Sequence, residues 1–205
     1  MEIELKYTLN DELIADRIIN DPGLKKIKEL GSENTLNMLS VYFDTIDDDL
    51  LNSGMAFRMR KENDKLQATV KWDGKVENGK HVREEVNLSV NDDTYMENPK
   101  VDLFNQSKAE EKLKQAANGK RLIPIMKMDF VRKQFRIDDG ETICEVSIDK
   151  GEIIGAKGKV HISELEIELF LGNEENLVKL GEELANKYNL EPENQSKFAR
   201  GLQII

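Results

Sequence analysis

Residues that alternate between apolar and polar with a period of two run through most of the chain, and many of the polar ones are charged. Successive side chains of a strand point to opposite faces, so residues two apart share one. In Glu2-Ile3-Glu4-Leu5-Lys6-Tyr7 the face of Glu2, Glu4 and Lys6 is divided from that of Ile3, Leu5 and Tyr7. Far along the chain, Glu164, Glu166 and Glu168 alternate with Leu165, Ile167 and Leu169. Arg58 and Arg60 share a face in the same way, as do Thr69 and Lys71, Arg83 and Glu85, Arg132 and Arg136, and Glu145 and Asp149. For any one strand the bland solution is a sandwich with wet outer faces. The ensemble argues against it. Like charges stacked on one face destabilise by amounts comparable with the roughly 0.2–1 kcal/mol that opposite pairs gain. If the charged faces turn inward, the sheet closes around a polar lumen, and helices must cover the apolar exterior.

Candidate strands are 2–9, 36–45, 55–62, 65–73, 80–90, 121–137, 141–150, 152–157 and 159–170, with turns at Asn63-Asp64, Asp73-Gly74 and Asp139-Gly140. Asn10 or Asp11 can cap a helix running to about Asn20, with Leu13, Ile14 and Ile18 on one side and Pro22-Gly23 as its stop. Ser107 can cap a helix over 108–117. Asn173 precedes one with Leu177, Leu180 and Leu184 as its apolar stripe. Residues 91–107 carry little pattern. No Pro, Gly or Ser-rich linker divides the 205 residues, so they read as a single domain, 1–205, of α+β class dominated by β structure.

With 30 Lys and Arg against 40 Asp and Glu the net charge is −10, which disfavours a nucleic-acid-coating protein. Cys144 is the single cysteine, so no disulfide scaffold and no cysteine-based zinc site is expected. No apolar run approaches membrane-spanning length, and MEIELKYTL is not a signal peptide; a soluble cytoplasmic protein is expected. Gly74 to Lys80 has P-loop spacing, but His81 stands where Ser or Thr is required and the segment joins two strands, so a hairpin is expected. Asp47 to Asp49 lack the glycine of a calcium loop and read as a solvated turn. Cys144 is expected in the core, and His81 and His161 on the surface.

Carboxylates gathered on one face invite a divalent cation, since hard oxygen donors bind magnesium or manganese. The basic groups on other strands then suit phosphate oxygens, which Arg binds through two parallel hydrogen bonds. A polyphosphate with its metal satisfies both sets at once.

The order of these residues resembles the CYTH family, also called triphosphate tunnel metalloenzymes. Glu2-Ile3-Glu4-Leu5-Lys6 is similar to its ExExK start. Tyr42-Phe43-Asp44-Thr45 with Gly54-Met55-Ala56-Phe57-Arg58-Met59-Arg60 follows, then Thr69-Val70-Lys71, Arg83-Glu84-Glu85 and Asp129-Phe130-Val131-Arg132. Glu145 to Gly151, Glu164-Leu165-Glu166 and Ser196-Lys197-Phe198-Ala199-Arg200-Gly201 complete a match over nearly the whole chain. The resemblance implies an eight-stranded antiparallel closed β-barrel, a tunnel with helices packed outside. It implies a small triphosphate as partner and one or two Mg2+ or Mn2+ ions as cofactor. By position, Glu2, Glu4, Glu164, Glu166 and Glu168 would hold metal. Lys6, Arg58, Arg60, Lys71, Arg83, Arg132 and Lys197 would grip phosphates, and Glu85, Glu145 and Asp149 would support metal-bound water. The catalytic set would be Lys6, Glu2, Glu4 and Glu166, with Lys6 either orienting or deprotonating water. Lys127 and Asp129 have opposite parity to Arg132 and Arg136, so a bulge reconciles them or one pair faces outward.

The activity this implies is metal-dependent hydrolysis of a terminal phosphoanhydride bond, with inorganic triphosphate or a similar compact substrate. Bacterial class IV adenylate cyclases, which form cyclic AMP and pyrophosphate, carry an HF-containing lead before ExExK that is absent ahead of Glu2. Thiamine triphosphatases have a Trp two residues before the first Arg of the pair, where Ala56 stands here, while Trp72 lies on the face opposite Lys71. No stacking aromatic is expected in the tunnel. Non-catalytic polyphosphate binding would keep the bases but lose the metal acids, and both are kept.

Overall fold

In the computed structural model, which describes residues 1–205 apart from the side chain of Glu12, the charged faces do turn inward. Eight long strands form an antiparallel barrel: β1 (Glu2–Thr8), β2 (Asn34–Asp44), β3 (Ala56–Glu62), β4 (Lys65–Glu77), β5 (Lys80–Val90), β6 (Ile123–Asp138), β7 (Ile143–Gly155) and β8 (Gly158–Leu171). Their order is β5-β4-β3-β2-β6-β7-β8-β1, and β1 closes the barrel by pairing Glu2 with Arg83 of β5. A two-residue β9 (Glu191–Pro192) adds to β1 beside Tyr7 and Thr8.

The apolar faces lie outside the barrel, under helices. Leu5, Tyr7, Val146, Ile148, Leu165 and Ile167 pack beneath α1 (Glu12–Ile19), α2 (Pro22–Ile27) and α5 (Glu174–Tyr188). Phe57, Met59, Ala68 and Val70 pack beneath α3 (Asp49–Asn52), α4 (Glu110–Ala117) and the short turns Asp93–Met96 and Val101–Phe104. Phe57 is fully buried between Phe43 and Phe104, edge-on to both at 6.3 and 5.5 Å. Truncating such a ring leaves a cavity. Phe57→Ala is therefore expected to cost about 3–5 kcal/mol in a denaturant titration, and a loss below about 1 kcal/mol would remove Phe57 from the centre of this cluster.

A last helix, α6 (Lys197–Leu202), departs from the expected exterior packing. Ser196 caps it by accepting from the Ala199 N–H at 3.1 Å. Its Phe198 and Leu202, with Ile204 and Ile205, pack on Met38, Tyr42, Met126, Met128, Phe130, Ile153 and Ile162. Met38, Tyr42 and Phe130 share strand faces with the inward charges, so this end of the barrel is stoppered by apolar groups. Gly201 allows the approach, because a Cβ there would lie 2.3 Å from Met126 Sδ.

Several expectations need correction. Pro22 does not simply end the first helix; it opens α2, with Asp21 accepting from the Gly23 and Leu24 N–H groups at 2.7 and 3.0 Å. Leu13 is exposed, and Ala15 joins Ile18 on the buried side instead. Asp73-Gly74 is a bulge in β4; the hairpin turns at Asn78-Gly79, both with positive φ as a tight two-residue loop requires. The strands drawn as 141–150 and 152–157 are one. Gly151 sits inside it because any Cβ would meet the Asp129 carbonyl at 2.2 Å. His81 is buried, its Nε2 2.8 Å from the Glu193 carbonyl oxygen, because the chain around β9 covers that face; burial lowers its pKa. The expectation of exposed His161 and buried Cys144 holds. No helix is long and apolar enough to cross a membrane.

Asp21 ties α2 to α5. Besides capping α2 it accepts from Lys187 Nζ and Tyr188 Oη, both at 2.5 Å. Burial opposes its charge, but these donors together hold its pKa down to about 2, below the ordinary 3.8. A depressed folded-state pKa means that its contribution is complete above about pH 4 and is lost as pH falls toward 2. Asp21→Asn is expected to lower stability at neutral pH by about 1–2 kcal/mol and to flatten the acid limb of the stability curve between pH 4 and 2. An acid limb identical to that of the parent protein would contradict this.

Candidate active site

The inward faces bring together most of the residues singled out by pattern. Glu2, Glu4 and Lys6 of β1, Arg58 and Arg60 of β3, Lys71 of β4, Arg83 and Glu85 of β5, Arg132 of β6, Glu145 of β7 and Glu166 and Glu168 of β8 line one cavity of about 450 Å³. Lys197 of α6 enters it from the stoppered end. Asp149 and Glu164 lie deeper, almost wholly buried behind Lys197. Lys127 and Asp129 face outward, both exposed and 3.5 Å apart, since no bulge separates them from Arg132. Arg136 keeps the parity of Arg132 but sits at the rim, 42 % exposed, with Glu29 at 3.8 Å.

The charges interlock. Lys6 Nζ contacts Glu166, with Glu4 at 3.3 Å and Glu164 at 3.6 Å. Burial alone would lower the Lys6 pKa, but the three glutamates outweigh it and keep the ammonium protonated. Arg132 grips Asp149 through two bonds of 2.7 Å and reaches Glu166 at 2.5 Å. Lys197 contacts Asp149 at 2.7 Å, Glu166 at 2.9 Å and Glu164. Although burial pushes upward, Lys197, Lys6 and Arg132 hold Glu166 well below the usual carboxylate range. Nearer the mouth, Arg83 bonds Glu2 and Glu4 at 2.5 Å, and Lys71 lies 2.9 Å from Glu2 and 2.7 Å from Glu85. Burial opposes the Glu85 charge, but Lys71 next to it brings the pKa down to about 2.

Arg58 and Arg60 differ from the others. Both are buried, at 6 % and 8 % exposure, yet Arg58 bonds only Thr69 Oγ1 at 3.0 Å and has no ion-pair partner among the described residues. Its Nε is buried without a hydrogen-bond partner. Arg60 bonds Ser40 Oγ at 2.9 Å, and its nearest carboxylate, Glu62, stands 3.8 Å away. Burial first, then the neighbouring Arg58 and Arg132 charges, lowers the Arg60 pKa to about 10. Two adjacent buried guanidiniums that share a single carboxylate at 3.8 Å are costly unless a further anion completes them. Beneath them the Phe130 ring faces Arg60, Arg132 and Lys197 at 5.7, 5.9 and 5.4 Å, within cation–π range.

Carboxylates also collect. Oxygens of Asp149, Glu164 and Glu166 lie within 4.8 Å of one another, an all-oxygen donor set of the kind that suits magnesium or manganese. On the opposite side Glu168 faces Glu2 and Glu4. Burial and those two like charges raise its pKa to about 8. A carboxylate so disfavoured gains from a nearby cation, so both groups fit a metal.

Two participants had no assigned role in the sequence pattern. Arg200 contacts Glu164, and its place three residues after Lys197 on a helix is the signal that would have found it. Phe170, where the β7–β8 register shifts near the end of β8, also lines the cavity, an aromatic that the alternation pattern did not place there.

The profile of the CYTH domain family matches residues 1–202. The chain belongs to the CYTH domain family. An inorganic triphosphatase from Haemophilus influenzae is 31% identical over 200 residues, 98% of this chain but 54% of that protein, so this CYTH chain spans about half the length of the relative. Among solved structures, a Hippeastrum protein with a dominant triphosphatase activity superposes with a TM-score of 0.74 at 22% identity, covering 99% of this chain and 96% of that one. A protein from Pyrococcus horikoshii gives 0.61 at 19% identity, with 99% of both chains covered. At these identities the two structures establish that the CYTH barrel is shared.

Proposed function

We propose that this CYTH protein is a divalent-metal-dependent hydrolase that cleaves the terminal phosphoanhydride bond of a small triphosphate, inorganic triphosphate foremost, and releases orthophosphate. The observation that carries this reading is the Arg58–Arg60 pair, buried in a cavity walled by further cations and acids, with no ion-pair partner for Arg58 among the described residues and only Glu62, at 3.8 Å, for Arg60. Residues 1–205 would act as one domain, since β1 from one end of the sequence and α6 from the other both complete the same cavity. The 31% identity to an inorganic triphosphatase supports the substrate class.

Arg58, Arg60, Lys71, Arg83, Arg132 and Lys197 would bind phosphate oxygens, the arginines with two-pronged geometry. Asp149, Glu164 and Glu166, with Glu2, Glu4 and Glu168 facing them, would hold Mg2+ or Mn2+. When bound, such a cation supplies positive charge to the phosphate oxygens and polarises water. Lys6, kept protonated by Glu166, Glu4 and Glu164, serves as a hydrogen-bond donor and fixed charge for the transferring phosphoryl group, and not as the base. Glu85 neutralises Lys71, while Glu145 accepts from Gln134 at the rim. The apolar stopper around Phe198 closes one end, so the chain of phosphates enters and leaves by the other. In-line attack on the terminal phosphorus then expels the remaining diphosphate.

Product analysis with Mg2+ or Mn2+ tests this on inorganic triphosphate, ATP, thiamine triphosphate and long-chain polyphosphate. Orthophosphate from triphosphate is expected. Cyclic AMP and pyrophosphate from ATP, with triphosphate untouched, would overturn it in favour of cyclisation.

A further inference from the structure

Phe170 is 51 % exposed and lines the same cavity as Glu168, at the point near the end of β8 where the β7–β8 register shifts. The core makes no use of this ring: Leu165 and Ile167, on the other face of the strand, supply the buried contacts. It is nonetheless held. The Arg136 guanidinium lies over it at 4.8 Å from the ring centroid. Arg136 is not itself part of the cavity lining, whereas the ring is, so the ring offers an aromatic surface to a ligand there. Hydrogen-bonding side chains line the same cavity, among them Gln67, Asn87 and the Gln134–Glu145 pair at 3.1 Å. Glu62, Glu85 and Glu145 line it too, so a polyphosphate continuing outward would run past like charge. A cationic ring would meet the Arg136 charge. A neutral planar ring meets neither penalty.

We propose that Phe170, backed by Arg136, is a stacking platform for the neutral base of a nucleoside triphosphate whose phosphates occupy the tunnel. This rests on the triphosphate reading of the cavity and extends it to a specificity-determining residue. Phe170 is a positioning group outside the reacting atoms, and its effect belongs to substrates that carry a base.

The test is calorimetric titration of the full chain, without divalent cation, with inorganic triphosphate and with the β,γ-imido analogue of ATP. Base–aromatic stacking makes a tenfold or so weaker Kd the expected result for the analogue in F170A, while F170W keeps it within about twofold. The Kd for inorganic triphosphate is expected to move by less than about twofold in both variants, because no base is present to stack. With Mg2+, the KM for ATP in F170A should rise by a similar factor relative to that for triphosphate. Equal weakening of both ligands, or an analogue indifferent to F170A, overturns the platform alone. A wild-type protein that binds neither ligand without divalent cation, and does not bind the non-hydrolysable analogue with Mg2+ either, overturns the triphosphate reading and the platform with it.

Discussion

Lys6→Met is expected to destabilise the protein by about 3–5 kcal/mol in metal-free buffer, with part of the loss restored by Mg2+ or Mn2+. Lys6 is 2 % exposed and stands among Glu166, Glu4 and Glu164. Methionine fills much of the same space, so packing is largely kept. What is removed is the charge, and Glu4, Glu164 and Glu166 are then left with only Arg83, Arg200, Lys197 and Arg132 as counter-charges. Removing one partner of a buried ionic cluster is costly, because the remaining charges are left with less compensation at the point it occupied. A divalent cation that binds the folded state would take over that role and raise stability by mass action. Lys127→Met on the outer face, where the side chain is 46 % exposed, is the control and should change stability by less than about 0.5 kcal/mol. Urea titrations with and without metal decide the matter. A Lys6→Met protein as stable as the parent in chelator would mean that the acids around it are protonated or solvated, and that the tunnel is not the charge-locked site described above.

Glu166→Ala should lower turnover of inorganic triphosphate by at least about 10²–10³-fold while leaving measurable anion binding. Glu166 touches Lys6, Lys197 and Arg132 at once and belongs to the buried acidic group with Asp149 and Glu164. Its loss removes one metal-fitting carboxylate and frees three cations from the geometry it imposes. Glu2→Ala acts at the other acidic wall, where it releases Lys71 and Arg83. Glu166→Gln separates the two effects, since it keeps the shape and discards the charge. Each variant is assayed for orthophosphate release and, in parallel, for triphosphate binding by calorimetry. Normal rates in both alanine variants with metal present would place the reacting centre elsewhere. Loss of binding together with turnover would point to a collapsed tunnel instead of a missing ligand.

Much of the barrel was legible because strand geometry is local. Two-residue alternation assigns Glu2, Glu4 and Lys6 to one face and Leu5 and Tyr7 to the other whatever the remaining chain does, and the structure keeps that division on β1, β3 and β4, whereas the inward faces of β2 and β6 carry Met38, Tyr42, Met128 and Phe130 at the stoppered end. Ends were less legible. Asp73-Gly74 has turn chemistry, but the pairing of Trp72 with Glu84 and of Lys75 with Val82 makes it a bulge. The α6 stopper carries too short a pattern to announce itself, and its contacts with Met126 and Ile153 are remote in sequence. His81 was misplaced because the cover over it comes from Glu193.

The sequence by itself determined which side chains travel together, because the pleat of a strand leaves no choice about residues two apart. It also determined that so many like charges needed partners. Only the tertiary structure decided which partners: closure of β1 onto β5 sets Arg83 against Glu2 and Glu4, and insertion of α6 brings Lys197 and Arg200 to Glu164. The same tertiary arrangement left Arg58 without an ion-pair partner among the described residues, Arg60 with only Glu62 at 3.8 Å, and Phe170 in the cavity lining. Those outcomes depend on strand stagger and on long-range packing, which alternation along a single strand does not encode.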